Sequence, residues 1–446
     1  MARRVTVRQC KHPGKGVALL SRSSALSRAS TRHDRHLERY QAVRNQTSEL
    51  TRPLSPEDAT AQSMPDASPA KWHLAHTTWF FETFLLKPFK ADYCPFHPAY
   101  DYLFNSYYNS IGEQYDRPTR GLVTRPGLAE IHDYRAYVDA AMTEVLEGGG
   151  EPEVAELVEI GLHHEQQHQE LLVTDVKHLL SLNPMAPVYR ARPPSAVQTA
   201  EALSWVDFPG GLYSIGEPGS GFAFDNERPR HPVYLPAYRL ASRPVTNAEF
   251  LAFIDDGGYS NPLLWLADGW DQIAQRRWTA PQYWSFDEHE GWCSFTLSGV
   301  RPLDRDEPVT HLSYYEADAF ARWYGARLPS EAEWEAAAQT APVAGNFLDS
   351  GRIHPQPGPA GGGLVQLFGD VWEWTASAYG PYPGFQPSAG ALGEYNGKFM
   401  CNQYVLRGGS CATPQSHIRP TYRNFFYPDA RWQFSGLRLA RDGRAR

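Results

Sequence analysis

Apolar residues recur at helical spacing in the segment SPAKWHLAHTTWFFETF, residues 68–84, and form a stripe that consists of Trp72, Ala75, Trp79 and Phe80. Ser68 is a plausible N-cap for this helix, and Pro69 suits its first position. Helices are also predicted at Asp34–Glu49, Leu54–Ala61, Leu128–Leu146 and Pro152–Leu182, whereas Lys90–Pro126 is rich in loop-forming residues. The second of these begins with the start signal SPED, with Ser55 as cap. Long helices in this order indicate a four-helix bundle over residues 34–182.

The pattern changes after a proline-containing linker, which we place at residues 183–200. Beyond it, short apolar segments are separated by Gly, Pro and aromatic residues, which is typical of a compact α+β domain over residues 201–446. Cap signals place three helices there, with Thr246, Ser313 and Ser330 as N-caps. The predicted elements are helices Asn247–Asp255, Ser313–Tyr324 and Ser330–Gln339, and strands Trp205–Phe208, Tyr213–Ile215, Val233–Leu235 and Val405–Arg407.

Composition argues against a nucleic-acid-binding, a membrane-spanning and a disulfide-rich protein. The 446 residues carry a net charge of −8, which argues against nucleic acid as a partner. Apolar runs fall short of the roughly 20 residues that a membrane span needs. The five cysteines are scattered and form no CxxC pair, so we expect a reducing, cytoplasmic location.

The first 32 residues are basic, Ser-rich and free of acidic residues. This composition fits an organellar transit peptide, a disordered basic tail or translation from an upstream start codon. We favour the last two, and predict that residues 1–33 lie outside the fold as a disordered tail.

Histidines on two of the predicted helices suggest a metal centre. His164 and His168 are four residues apart and therefore lie on one face of their helix, where both rings can bind the same ion. His76, from the segment WHLAH, would add a third nitrogen and leave positions open for substrate or oxygen. His73 is expected to hydrogen-bond or pack nearby. The alternative is an incidental cluster in a Gln/His/Glu-rich stretch, and ligand type alone does not distinguish iron from zinc.

Longer segments of the chain resemble known families. The segments FPGGLYSIG, RPVTNAEFLAFI, PVTHLSYYEADAFARWYGARLPSEAEWEAAA, LFGDVWEWT and VLRGGSCATPQSHIRPTYRNFF are similar to the formylglycine-generating-enzyme/sulfatase-modifying-factor fold, over residues 203–443. The helical half resembles DinB-like bundles. In this order, with WHLAH and HEQQH, the chain resembles the EgtB-type sulfoxide synthases of ergothioneine biosynthesis. The resemblance implies a non-haem iron(II) enzyme that uses O2 to join the sulfur of a cysteine-type thiol to hercynine (Nα-trimethylhistidine).

The resemblance also implies roles for individual residues. The iron ligands would be His76, His164 and His168. Gln167 matches the family glutamine that contacts hercynine, and Asn424 and Phe425 match positions at its carboxylate and ammonium. A quaternary ammonium is attracted to aromatic faces, so this setting is physically reasonable. Arg117 and Arg120, in DRPTRGL, match the arginines that bind the carboxylate of the thiol substrate in bidentate fashion.

Two departures from the mycobacterial pattern inform the choice of thiol. Members that use γ-glutamylcysteine carry an acid and an arginine at positions that here are Phe426 and Ala430, so the chain resembles the cysteine-using branch. The catalytic tyrosine of the mycobacterial C-terminal domain has no clear counterpart. Tyr107 and Tyr108 match the twin tyrosines of the cysteine-using branch, and either is a candidate proton donor.

Three other functions were weighed. Copper-dependent oxidation of protein cysteines needs a pair of cysteines near the C-terminus, and Cys411 has no matching partner in the segment that follows it. Selenoneine or ovothiol formation would use the same fold and metal, although ovothiol synthases usually append a methyltransferase domain. A non-catalytic ligand-binding module would not need the three histidines and the tyrosine pair.

Overall fold

A computed structural model describes residues 25–149, 151–192, 199–219, 221–359 and 361–443, with side chains from residue 35 onward. Most of the predicted basic tail and residues 193–198 of the predicted linker therefore lie outside the described residues. The first described helix begins at Ala25, nine residues before the predicted start at Asp34.

The first half forms the predicted helical bundle. Its helices are α1 (Ala25–Thr51), α2 (Ala70–Phe81), α3 (Lys87–Phe89), α4 (Tyr100–Phe104), α5 (Leu128–Glu147) and α6 (Pro152–Ser181). A π-helical turn, Glu82–Leu86, joins α2 to α3. The long helices α1, α2, α5 and α6 pack against one another around an aromatic-rich core. The predicted loop-rich region contains two short elements, α4 and the 3₁₀ helix Arg117–Leu122.

Two predictions for this half were wrong. The cap of α2 is Pro69 and receives no side-chain hydrogen bond, while the hydroxyl of Ser68 accepts one from Arg120 instead. The segment Leu54–Ala61 forms turns and no α-helix. Within it, Ser55 and Asp58 exchange the two hydrogen bonds of a capping box. The cap chemistry is therefore present, but the chain leaves the helical path after one turn.

Helices α2 and α6 approach closely at Gly161. A Cβ atom at this position would lie 2.6 Å from the ring of Phe81, so a larger residue would push the two helices apart. Gly161 lies one turn before His164 on the same helix. The glycine thus brings the histidines of α2 and α6 within reach of each other.

The second half is an α+β domain, as predicted. Its helices are α7 (Asn247–Asp255), α8 (Ala267–Arg276), α9 (Tyr314–Trp323) and α10 (Glu331–Ala338), and its strands are β1 (Trp205–Phe208), β2 (Gly211–Ile215), β3 (His231–Leu235), β4 (Tyr238–Ala241), β5 (Trp284–Asp287), β6 (Gly291–Thr296), β7 (Gly299–Pro302), β8 (Trp372–Ala378), β9 (Tyr404–Arg407), β10 (Asn424–Phe426), β11 (Ser435–Gly436) and β12 (Ala440–Asp442). The strands form four small sheets, in the orders β1-β4-β12, β10-β9-β8-β11, β2-β3 and β5-β6-β7. The predicted caps Thr246, Ser313 and Ser330 are confirmed, each with a complete capping box.

Helix α6 is the element that both halves share. One side of it packs on the bundle. On the other side, Glu170 accepts hydrogen bonds from the indole of Trp372 (2.7 Å) and the hydroxyl of Ser410 (2.5 Å). Near its end, the ammonium of Lys177 lies 2.6 Å from Nε2 of His311, and burial lowers the pKa of this lysine to about 7. Side-chain hydrogen bonds therefore connect the α+β domain to α6, the helix that carries two of the candidate ligands.

None of the helices within the described ranges combines the length and the apolar character that a membrane crossing requires.

A buried ion cluster stabilises the bundle beside His164. Glu165 lies 2.5 Å from Arg135 and 3.0 Å from Arg44, and all three side chains are almost completely buried. Burial alone would raise the pKa of Glu165, but the two arginines lower it to about 2. The carboxylate is therefore ionised and is shared by two guanidinium groups in the bundle interior, of which Arg44 also pairs with Asp139 at 2.7 Å.

We expect Glu165→Gln to reduce the free energy of unfolding by about 3–5 kcal/mol, because it removes the carboxylate that pairs with the buried guanidinium of Arg135. Urea denaturation followed by circular dichroism measures the effect. Glu156→Gln, at an exposed position of α6, is the matched control and should change stability by less than about 0.5 kcal/mol. Equal stability of the two variants would contradict this assignment.

Candidate metal centre and substrate cavity

Three buried histidines converge where α2 meets α6. His76 comes from α2, and His164 and His168 come from successive turns of α6. One nitrogen from each ring lies within 4.8 Å of the other two. The i, i+4 spacing on α6 and the close approach of α2 thus bring together the three side chains that the sequence singled out.

The rings are electrostatically suited to bind a cation. Burial lowers the pKa of His164 to about 3, and burial with the neighbouring histidines holds the pKa values of His76 and His168 well below the usual range. The imidazoles are therefore neutral at physiological pH, and each keeps a nitrogen lone pair. The backbone carbonyl of Phe104 lies 2.6 Å from Nδ1 of His76, which places the proton there and leaves Nε2 free, 3.1 Å from Nε2 of His164.

Aromatic stacking holds the ring of His76 in place. The indoles of Trp72 and Trp79 stack on it, with centroid distances of 4.6 and 5.6 Å. The guanidinium carbon of Arg120 lies 3.4 Å above the ring centre of Trp72. Arg120, Trp72, His76 and Trp79 therefore form one continuous stack.

His73 lies one turn before His76 and close to His168. Its Nδ1 is 2.9 Å from Nδ1 of His168, and its Nε2 is 3.1 Å from a carboxylate oxygen of Asp175. The sequence predicts a neighbour that hydrogen-bonds or packs, and this geometry agrees.

A cavity of about 540 Å³ opens beside the three histidines and is lined by residues of both halves. Of the predicted site residues, it is lined by His168, Tyr107, Arg117, Arg120, Gln167, Asn424, Phe425 and Phe426. His76, His164 and Tyr108 are buried behind this wall. The three-histidine cluster therefore lies next to a cavity large enough for a small molecule, as is usual for a ligand-binding site.

The two predicted arginines differ in their surroundings. Arg120 is buried and donates to the hydroxyls of Ser68 (3.0 Å) and Ser106 (3.2 Å). Burial and the nearby Arg117 lower its pKa to about 9, so it is charged at neutral pH. Arg117 is exposed and donates to the backbone carbonyl of Asp66. Both guanidinium groups are at the cavity wall, where they can receive an anion.

Only one of the twin tyrosines faces the cavity. Tyr107 lines it, whereas the ring of Tyr108 packs on Trp79 and Phe84 and is fully buried. The two rings are 4.8 Å apart. Burial raises the pKa of both phenols above the ordinary value. Both are therefore protonated at physiological pH.

Two tyrosines of the second half were missed by sequence reasoning. Tyr395 donates to the amide oxygen of Gln167, and the amide nitrogen of Gln167 donates to the hydroxyl of Tyr422 at 2.6 Å. Both rings also line the cavity. Nothing in their local sequence marks them, because their role depends on contact with a helix more than 200 residues away. These contacts orient the amide of Gln167.

Strand β10 supplies the far wall. Phe425 stacks on Tyr379 at 4.0 Å, and Phe426 meets the edge of Trp432 at 5.8 Å. Asn424 begins the strand and pairs with β9. Ala430 is buried just beyond it. Neither Phe426 nor Ala430 carries a charge that could form an ion pair.

The donor set fits a first-row metal ion. Three neutral imidazoles suit iron(II), and they would equally suit zinc(II). The three histidines would supply three donors to such an ion, and further coordination positions would remain for small molecules from the cavity.

Comparison with known proteins agrees with this organisation. Residues 39–172 match the DinB superfamily, and residues 190–361 and 355–443 match the sulfatase-modifying factor enzyme 1-like domain. The hercynine oxygenase of Mycobacterium tuberculosis is 34% identical, over 85% of this chain and 92% of that protein. The chain belongs to the hercynine oxygenase family. The hercynine oxygenase of Mycolicibacterium smegmatis is similar to the same degree, at 34% identity over 85% of this chain.

The second half alone has other relatives. The formylglycine-generating enzyme of Streptomyces coelicolor is 28% identical over 58% of this chain. The hercynine oxygenases match most of both halves, so the family resemblance and the fold class inferred from the sequence are confirmed.

We expect His164→Ala to weaken metal binding by more than about 100-fold, since loss of a ligand should exceed the effect of losing a residue that only supports one. Metal content after dialysis against iron(II) or zinc(II), measured by atomic emission, tests this. His178→Ala is the control, because His178 lies on the same helix and bonds to Ser63 outside the cluster. Equal metal content in both variants would show that the three-histidine cluster is not the metal site.

Proposed function

We propose that this protein is an iron(II)- and O2-dependent sulfoxide synthase that joins the sulfur of cysteine to hercynine, as a step of ergothioneine biosynthesis. The observation that carries the proposal is the convergence of His76, His164 and His168 beside a cavity lined by both halves. Its membership in the hercynine oxygenase family supports the identity of the acceptor.

The three histidines would hold the iron, which when bound supplies the activation of oxygen that the reaction needs. Their neutral state favours binding without loss of a proton from the rings. Burial by Trp72 and Trp79 restricts water around His76.

The two substrates would share the cavity. The carboxylate of the thiol substrate would pair with Arg117 and Arg120, whose forks suit bidentate contacts. Hercynine would be held by Gln167 and Asn424, with its quaternary ammonium near the aromatic face of Phe425. Tyr395 and Tyr422 fix the amide of Gln167. The remaining N–H and the remaining oxygen lone pair of this amide therefore each have a fixed direction.

Cysteine is the proposed thiol because Phe426 and Ala430 are apolar. Phe426 lines the cavity, and Ala430 lies buried beyond it. The α-ammonium and α-carboxylate of a γ-glutamyl group would meet no counter-charge at these two positions and would lose hydration there. Free cysteine avoids that cost.

Between the twin tyrosines, we assign the proton donor to Tyr107. Its ring lines the cavity, and burial keeps its hydroxyl protonated. A hydroxyl that can deliver its proton in the cavity would favour C–S bond formation over simple oxidation of the thiol. Tyr108 supports Tyr107 by packing.

Incubation of iron-loaded protein with hercynine, O2 and one donor tests the proposal. Mass spectrometry should detect hercynylcysteine sulfoxide with cysteine, and at least about 10-fold less product with γ-glutamylcysteine, equivalent to about 1.4 kcal/mol. A product formed only with a selenium donor would identify a selenoneine-type enzyme. No product with any donor would favour a ligand-binding module.

Tyr107→Phe should lower sulfoxide formation by about 100-fold, the lower end of what general acid catalysis contributes, and should shift cysteine consumption toward its sulfinic acid. Tyr108→Phe is the matched control and should keep the ratio of the two products. If Tyr108→Phe and not Tyr107→Phe changes the products, the proton donor is Tyr108. If neither variant changes the ratio of sulfoxide to sulfinic acid, neither tyrosine is the proton donor.

A further inference from the structure

His76 and His168 differ in the group that contacts the ring nitrogen facing away from the cluster. For His76 it is the backbone carbonyl of Phe104. For His168 it is a side chain, because Nδ1 of His73 lies 2.9 Å from its Nδ1. The orientation of His168 therefore depends on a residue that substitution can remove.

His73 is itself held by a carboxylate. Its Nε2 is 3.1 Å from Oδ2 of Asp175, and the same oxygen accepts the backbone N–H of Ser68 at 2.8 Å. The side chains of His73, Asp175 and His168 are 2%, 6% and 7% exposed. Water therefore competes little with these hydrogen bonds.

With His73 neutral, the donors and acceptors of Asp175, His73 and His168 leave one consistent arrangement. A carboxylate only accepts, so Nε2 of His73 carries the proton. In a neutral ring Nδ1 then has a lone pair, which can accept only if His168 carries its proton on Nδ1. The lone pair of His168 is thereby placed on Nε2, the nitrogen that is free to face the cluster.

We propose that Asp175 and His73 form a relay that sets the tautomer and ring orientation of His168 for metal binding. Both are positioning residues: they act through His168 and do not bind the metal. The inference rests on the proposed function in one respect, namely that His168 is a metal ligand. Ligating histidines are commonly supported in this way by carboxylates, and loss of such support weakens metal binding.

Sequence position explains how the relay forms. His73 precedes His76 by three residues and so lies on the same face of α2. Asp175 follows His168 by seven residues, two turns along the same face of α6. The helix pair that brings the ligands together therefore also brings the supporting residues together.

Metal affinity, measured without turnover, tests the relay. Cobalt(II) replaces iron so that oxygen causes no reaction, and a chromophoric chelator competes for the ion. We expect His73→Leu and Asp175→Asn each to weaken cobalt binding by about 10- to 100-fold and to change the visible spectrum of the bound ion. His73→Asn keeps an acceptor near the position of Nδ1 and should lose less affinity than His73→Leu.

The double variant separates a relay from two independent contributions. If Asp175 acts through His73, His73→Leu/Asp175→Asn should bind cobalt about as weakly as His73→Leu alone. His178→Asn, on the next turn of α6 after Asp175, is the control and should bind like the original chain. Thermal unfolding of the metal-free proteins verifies that each variant is folded.

The outcomes distinguish the two proposals. If the unchanged protein does not bind cobalt at one ion per chain, the proposed function fails. If it does bind, and folded His73→Leu and Asp175→Asn bind equally well with the same spectrum, the relay is overturned. Additive losses in the double variant would likewise overturn it, since they would show that Asp175 acts independently of His73.

Discussion

Burial of the polar side chains of α6 is the constraint on which the rest of the structure depends. This helix lies between the bundle and the α+β domain, so the charged and polar groups on both of its sides need partners within the protein. Glu165 finds two arginines in the bundle, and Glu170 finds an indole and a hydroxyl in the second half. Polar pairing therefore sets how the helix is rotated, and that rotation directs His164 and His168 toward α2.

Much of the fold could be predicted because its signals are local. The capping boxes at Thr246, Ser313 and Ser330 operate within four residues, and the structure has all three. The i, i+4 relation of His164 and His168 follows from helical geometry alone. His76 is chosen from its helix as the third nitrogen, and the resemblance to a family supports that choice, although no local pattern indicates which of two neighbouring histidines turns toward another helix.

The failures have equally definite causes. Serine is a residue type that N-caps prefer, but Ser68 bonds to other elements. Its backbone N–H donates to Asp175, and its hydroxyl accepts from Arg120. Ser55 and Asp58 make the hydrogen bonds of a helix start, and yet no helix follows. The contacts of Tyr395 and Tyr422 with Gln167 join distant segments. Long-range partners decide the cases of Ser68 and of the two tyrosines, and local patterns in the sequence do not indicate these partners.

Arg120, Trp72 and His76 belong to one stack, and the charge of Arg120 adds to the effect of burial in lowering the pKa of His76. An anion bound at Arg120 would offset this positive charge and so raise the basicity of His76. No hydrogen bond is needed for this communication, and neither end has to move. Arrival of an acidic ligand at the cavity wall would thus tune the basicity of His76 before any chemistry begins.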